Sequence, residues 1–358
     1  MKKMIYNVMT DQTMASGDGR TIFTILKILS LLYGAIVECI LFFYRIGFFR
    51  THNFSKPVIS VGNITWGGVG KTPLVELITS LLTEQKQKPV ILIRGYMPKE
   101  VASSGKFFLS DEAKLLEESL PHVPVLAGKD RVKNAREALA KYHPDLFILD
   151  DGFQQWGIKR DLNIVVIDST NPFGNGFLIP RGILREPKKA LVRADVVVLT
   201  RTDLGEKALP EIKNVIFNVQ PQCLIIESIH QAISLDDLWN IDKHHDLSFL
   251  QNKDIGAFCS IGNPASFRWQ LERLGARVKM MTPFRDHHYY NTQDISDLIK
   301  DFQSQKIDTV ITTQKDAVKL QTQQSLFVQS GLKIYYLKIK IQITHGKEDL
   351  AQRIFALL

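Results

Sequence analysis

A glycine-rich turn limits what this chain can fold into more than any other feature. Val58-Ile59-Ser60-Val61 is a continuous apolar run. Gly62-Asn63-Ile64-Thr65-Trp66-Gly67-Gly68-Val69-Gly70-Lys71-Thr72-Pro73 follows it, and Leu74 to Leu82 then spaces apolar residues as a helix does. Strand, glycine turn, Lys-Thr and helix is the order in which a chain wraps main-chain N–H groups around a phosphate. Glycine removes the Cβ that would block the approach, and the helix start adds positive partial charge. In such a loop the stretch Thr65, Trp66, Gly67, Gly68, Val69, Gly70, Lys71 and Thr72 holds a nucleoside triphosphate. Lys71 reaches the β- and γ-phosphates and the Thr72 hydroxyl holds Mg²⁺. Pro73 fits because a first-turn N–H has no partner inside the helix. Thr65 stands where the strict pattern has glycine, so the loop is a variant.

The rest of the chain repeats the strand-and-helix theme. Lys88 to Arg94, Val123 to Ala127, Leu146 to Asp150, Ile164 to Asp168 and Val196 to Thr200 read as strands, with a helical stretch from Asp130 to Tyr142. Near-continuous aliphatic strands alternating with helices predict an α/β fold with a mostly parallel sheet covered on both faces. Ligands bind at the carboxyl ends of such strands. That rule gathers the glycine loop, Arg94, Asp150 and Asp151 on one rim. Two adjacent acids at a strand end repel unless a cation sits between them, so Asp150 and Asp151 are candidate Mg²⁺ ligands. Asn214 to Val219 and Cys223 to Glu227 flank Gln220-Pro221-Gln222 and read as a β-ribbon. Beyond it Ile255 to Cys259, Val278 to Met281 and Thr309 to Thr312 predict a second, smaller α/β lobe.

The N-terminal part is apolar from Thr21 to Phe49, interrupted by Lys27, Glu38 and Arg45. Its longest uncharged stretch, Ile28 to Val37, is shorter than the roughly 20 residues that span a bilayer. A helix lying in the membrane interface fits better, with neighbouring basic residues facing anionic headgroups. The 358-residue chain carries a formal net charge of +8, which suits an anionic ligand or surface. No zinc-finger, helix-turn-helix or RNA-binding signature is present, so nucleic acid is not an expected partner. Cys39, Cys223 and Cys259 have no paired spacing and give neither a disulfide framework nor a metal site.

Three further groups carry chemistry. Asp111 opens a helical run, where an acid either caps the helix or accepts a proton from an attacking hydroxyl. Phe284-Arg285-Asp286-His287-His288 follows a strand, and a histidine there pairs with an acidic base. Arg181 and Arg185, in a basic loop after Phe173-Gly174-Asn175-Gly176, suit bidentate capture of an anion.

Taken together, Gly62-Asn63, Gly67 to Pro73, Arg94-Gly95-Tyr96, Asp111-Glu112, Asp150 to Gln154, Leu184 to Pro187, Asp286-His287 and Thr313 to Val318 resemble the tetraacyldisaccharide 4′-kinase family over nearly the whole chain. The resemblance implies an ATP- and Mg²⁺-dependent kinase that phosphorylates the 4′-hydroxyl of a tetraacyl glucosamine disaccharide 1-phosphate in lipid A biosynthesis. It implies work at the cytoplasmic face of the bacterial inner membrane. It makes Asp111 the base, paired with His287 or else His288, with Lys71 also catalytic. It puts Thr72, Asp150 and Asp151 on the metal, and Arg94, Glu112 and Arg185 against phosphate or substrate. The expected organisation is a membrane-associated helical segment (1–54), a P-loop kinase core (55–214), a β-ribbon linker (215–230) and a second α/β lobe (231–358). The competing reading is a membrane-associated P-loop ATPase or GTPase switch with no phosphoryl acceptor.

Overall fold

Aliphatic runs with no polar face can form strands only where both sides of a sheet are covered. That condition is met in the computed structural model, which describes residues 17–95, 111–240, 243–286 and 288–358. Every residue of β1 (Val58–Gly62), β2 (Pro89–Ile93), β4 (Leu146–Asp150) and β6 (Val196–Thr200) is buried, and β5 (Leu162–Asp168) is nearly so. With the short β3 (Val125–Ala127) and the first part of β7 (Leu224–Asp237) they form a parallel sheet in the order β7-β6-β5-β1-β4-β2-β3. The central strand is therefore the one that feeds the glycine loop. It pairs Val61 with Asp150 of β4 on one side and Gly62 with Val165 of β5 on the other.

Helices close both faces of this sheet. A helix α1 (Gly17–Arg45) comes first in the chain, and α2 (Lys71–Glu84) follows the glycine loop with Leu74, Val75, Ile78 and Leu82 buried. Another, α3 (Asp111–Ser119), belongs to the second unit described below. Asp130 caps α4 (Arg131–Tyr142) by accepting from the Lys133 amide at 2.9 Å, and Ala135 and Ala138 of α4 pack on Val58, Val90, Phe147 and Leu149. On other strands, Ile212 and Ile216 of α5 (Leu209–Val219) pack with Val165, Ile167, Val197 and Leu199.

This last helix corrects the strand expected over 214–219. A short apolar run does not by itself distinguish helix from strand. The deciding signals lay just upstream, in Pro210 at the first turn and in the i, i+4 spacing of Ile212 and Ile216. The expected ribbon is built differently. It consists of β7, which runs on to Asp237, and β12 (Lys333–His345), much later in the chain and adjacent to β7 in the strand order.

The chain divides into two compact units, one from 17–95, 122–229 and 343–358, the other from 111–121 and 230–342. Strands β7 and β12 carry the chain from one unit to the other. In the second unit β10 (Arg277–Pro283), β9 (Asp254–Cys259), β11 (Thr309–Thr313) and the start of β12 are parallel in that order, and β8 (His244–His245) pairs antiparallel with β7. Helices α6 (Pro264–Arg273), α7 (Thr292–Ser304), α8 (Gln314–Ala317) and α9 (Gln324–Ser330) belong to this unit, and α10 (Lys347–Phe355) to the first.

The 29 residues of α1 give it a length of about 43 Å. Within it, Thr21–Arg45 is long and apolar enough to cross a membrane by length and composition. The sequence expectation of too short a stretch counted only uncharged residues. In the structure Glu38 pairs with Lys189 at 3.0 Å.

Candidate active site

The glycine loop leaves β1 at Gly62, where a Cβ would stand 2.5 Å from the backbone nitrogen of Phe153. No larger residue fits against that chain. Gly70 then takes φ +94° and heads α2 with no side-chain cap, so the helix start keeps its amides for a ligand. Thr65 is buried, and Trp66 is 58% exposed with its amide donated to the Ile183 carbonyl at 2.6 Å. Two polar side chains fix the far side of the loop. Arg201 donates to the Gly68 carbonyl at 3.1 Å while pairing with Asp168 at 2.5 Å, and the Thr200 hydroxyl donates to the Val69 carbonyl at 2.8 Å. Both clamps come from the end of β6, with Asp168 at the end of β5 holding Arg201, and in sequence these segments read only as strands. The signal was there in Asp168 and Thr200, polar residues closing otherwise aliphatic runs.

Lys71 opens α2, and its ammonium reaches Asn63 Oδ1 at 3.2 Å and Asp151 Oδ1 at 3.4 Å. Asp151, at φ +52°, also accepts from Arg185 at 2.9 and 3.0 Å. Burial alone would raise its pKa. The Lys71 and Arg185 cations, with Arg131 behind them, outweigh that and hold the carboxyl well below the usual range. Asp150 ends β4 and is buried, and Arg131 braces the pair by donating to the carbonyls of Asp150 (2.5 Å) and Asp151 (3.1 Å). Arg131 was missed in the sequence because it sits in the first turn of a helix that otherwise looks solvent-facing. Arg94 follows β2, exposed, and its charge acts on Arg131. Lys71, Asp151 and Arg185 are thus brought together as expected residues, with Asn63 and Arg131 added.

A second layer steadies them. Gln154 donates to the Asn63 carbonyl at 3.0 Å and to Glu186 at 2.9 Å, and Glu186 is fully buried on Arg193 at 2.7 Å. The Arg185 amide donates to the Ile64 carbonyl at 2.7 Å, which ties the arginine loop to the glycine loop. From α1, Tyr33 donates to the Arg185 carbonyl at 2.9 Å and Ser30 to the Leu178 carbonyl at 2.8 Å. Arg181 stacks over Phe23 and Phe177, which makes it a support for α1.

In the second unit Asp111 and Glu112 open α3, and each meets its own lysine. Lys319 lies 3.5 Å from Asp111, and Lys315 lies 3.5 Å from Glu112 and 3.3 Å from Asp286. His287 lies outside the described residues. His288, the second choice as partner of Asp111, bonds Asp294 at 2.9 Å, within the capping box that starts α7, and stacks on Phe284. Lysines, which the sequence reading gave no role, are the partners seen at both acids of the Asp111-Glu112 pair.

A parallel sheet whose central strand runs into a glycine loop and then a Lys-Thr helix start, with acids on the next strand, defines a P-loop nucleotide-binding α/β protein. The model of one family, tetraacyldisaccharide-1-P 4′-kinase (LpxK), matches residues 22–358, and the chain belongs to that family. It is 37% identical over 350 residues to the tetraacyldisaccharide 4′-kinase of Halothermothrix orenii, covering 92% of this chain and 91% of the relative. With that of Syntrophus aciditrophicus it shares 37% over 340 residues, 89% and 90% of the two chains. The crystal structure of LpxK from Aquifex aeolicus in complex with ATP superposes with a TM-score of 0.71 at 31% identity, over 94% of this chain and 99% of that one.

Proposed function

We propose that the protein transfers the γ-phosphoryl group of ATP to the 4′-hydroxyl of a tetraacyl glucosamine disaccharide 1-phosphate. The observation that carries this reading is the convergence of Lys71, Asp151 and Arg185 at the lip of a glycine loop in a chain of this family. ATP lies with its phosphates along Thr65 to Thr72. Lys71 leaves its ion pair with Asp151 to meet the β- and γ-oxygens, and Arg185 takes charge from the transferred group or grips the 1-phosphate. Arg94, exposed at the end of β2, is available to the same anions, and Glu112 to the sugar. Asp111 accepts the 4′-hydroxyl proton as the new O–P bond forms and the bond from the γ-phosphorus to the β–γ bridging oxygen breaks, with ADP leaving.

The donor set suits Mg²⁺. The Thr72 hydroxyl and the Asp150 carboxylate are hard oxygen donors, and Mg²⁺ on a nucleotide needs only one or two protein groups beside phosphates and water. Asp151, held here by Lys71 and Arg185, would be the further carboxylate beside the ion. The ion, when bound, neutralises charge on the β- and γ-phosphates. A P-loop switch without an acceptor is disfavoured, because family membership speaks for acceptor phosphorylation.

The place of work is the membrane surface. One stripe of α1 (Leu26, Ser30, Val37, Leu41) is buried, while Ile25, Ile28, Leu29, Leu32 and Ile36 stay exposed. A helix held to a globular unit along one face offers its other face to lipid, as an interfacial helix does. We place that surface at the cytoplasmic side of the inner membrane, where ATP is available.

Lys71→Ala tests the reading. Transfer depends on charge stabilisation, so loss of the ammonium lowers kcat by about a thousandfold with the fold intact. Near-normal transfer of label from ATP to the lipid acceptor by Lys71→Ala would refute it.

A further inference from the structure

We propose that Lys319 is a positioning residue for the phosphoryl transfer, its ammonium fixing the Asp111 carboxylate where the acceptor hydroxyl meets it. The proposal rests on the reading of Asp111 as the base. Lys319 follows α8, and its side chain is only 2% exposed. Such burial of a lysine costs stability unless every donor has a partner. Its partners are the Ser260 hydroxyl at 2.6 Å, Asp316 at 3.1 Å and Asp111 at 3.5 Å.

Those three partners are not equivalent. Asp316 is fully buried and saturated from within the unit. It accepts from the Ser260 amide at 2.8 Å, from the Thr313 hydroxyl at 2.7 Å and from the Ser260 hydroxyl. Asp316 and Ser260 therefore anchor the ammonium from the inside. Asp111 stands on its outer side, with its side chain 32% exposed and open to a substrate. A cation pinned from below and presented to one half-exposed carboxylate restrains that carboxylate more than a surface pair would.

The other charged groups nearby have their own pairings. Glu112, next on α3, and Asp286 share Lys315, so Lys319 is left to the two aspartates. Tyr290 faces the ammonium with its ring, 5.9 Å away. Asp111 is thereby the one acid at the start of α3 that is tied to a fully anchored cation.

The test is a double-mutant cycle on the full-length enzyme, with Lys319→Met, Asp111→Asn and the pair. Label transfer to lipid acceptor in detergent micelles and thermal unfolding are both measured. Displacing a catalytic group by an ångström costs about a hundredfold. Lys319→Met is accordingly expected to lower kcat by about 10- to 100-fold at unchanged KM for ATP. In the Asp111→Asn background it adds less than about twofold. Ser260→Ala keeps the charges of Lys319, Asp316 and Asp111 and removes one of the two inner anchors, so it is expected to lower kcat severalfold while the fold survives. It carries the test if Lys319→Met does not fold. An equal loss of kcat from Lys319→Met with or without Asp111 overturns the proposal. So does an unchanged kcat in Ser260→Ala whose melting temperature has dropped. Normal turnover by Asp111→Asn alone overturns the base assignment itself, which is a separate outcome.

Discussion

At the scale of single residues, several buried ions stand beside a counterion, as Arg201 does with Asp168, Glu186 with Arg193 and Lys319 with Asp316. Asp316 shows the consequence for stability. Burial raises its pKa, but Lys319 and the donors of Ser260 and Thr313 outweigh that and hold it below the usual carboxylate range. A carboxyl depressed in the folded state adds stability above its unfolded pKa of about 3.9, and that stability is lost as pH falls through the folded value. Asp316→Asn leaves the Lys319 charge buried with its main counterion gone, which costs about 3–5 kcal/mol at pH 7. Denaturant unfolding of wild type and variant from pH 8 to pH 3 should show a constant gap down to about pH 4 that narrows below it. A gap independent of pH over the whole range would contradict the ion-pair account. Lys71, Asp150 and Asp151 could be read from the sequence because glycine spacing and strand-terminal acids are local signals. Lys319, Arg131 and Arg201 could not, since each acts on residues that only the fold brings near.

At the scale of elements, the glycine loop depends on what grips its carbonyls. Arg201, itself at φ +54°, holds Gly68 and is paired with Asp168. Arg201→Met frees that carbonyl and loosens the loop while leaving Lys71 in place. ATP affinity should fall by about tenfold, on the scale of one charged hydrogen bond. Titration calorimetry checks it, and unchanged affinity would show that the loop holds its shape without the clamp. The helix α1 makes a second prediction. Leu32→Glu with Ile36→Glu puts negative charge on its exposed face while Ser30 and Tyr33, which fasten it, are kept. Each apolar side chain buried in lipid contributes about 2 kcal/mol, so sedimentation with anionic vesicles should fall by well over tenfold. Equal sedimentation would mean that this face does not meet lipid. Patterning made α1 and the buried strands legible. It failed over 214–219, where Val215-Ile216-Phe217 suits strand and helix alike and only Pro210 and the Ile212–Ile216 pair decide.

At the scale of the whole molecule, each of the two α/β units carries its own group of candidate residues. One presents the glycine loop with Lys71 and its acids, the other Asp111 on its lysine anchor. The parallel sheet of the first unit was legible because its strands are nearly continuous apolar runs. That residues 343–358 return to the first unit was not, and this corrects the expected second lobe over 231–358, since no local signal marks where β12 re-enters the first unit. The most direct measurement supplies the purified full-length protein with γ-labelled ATP and a tetraacyl disaccharide 1-phosphate in micelles, and follows label and free phosphate together. Label should appear in the lipid at the 4′-position in step with ATP consumption, and only when acceptor is present. Steady release of free phosphate with none in the lipid, at a rate indifferent to the acceptor, would contradict the account.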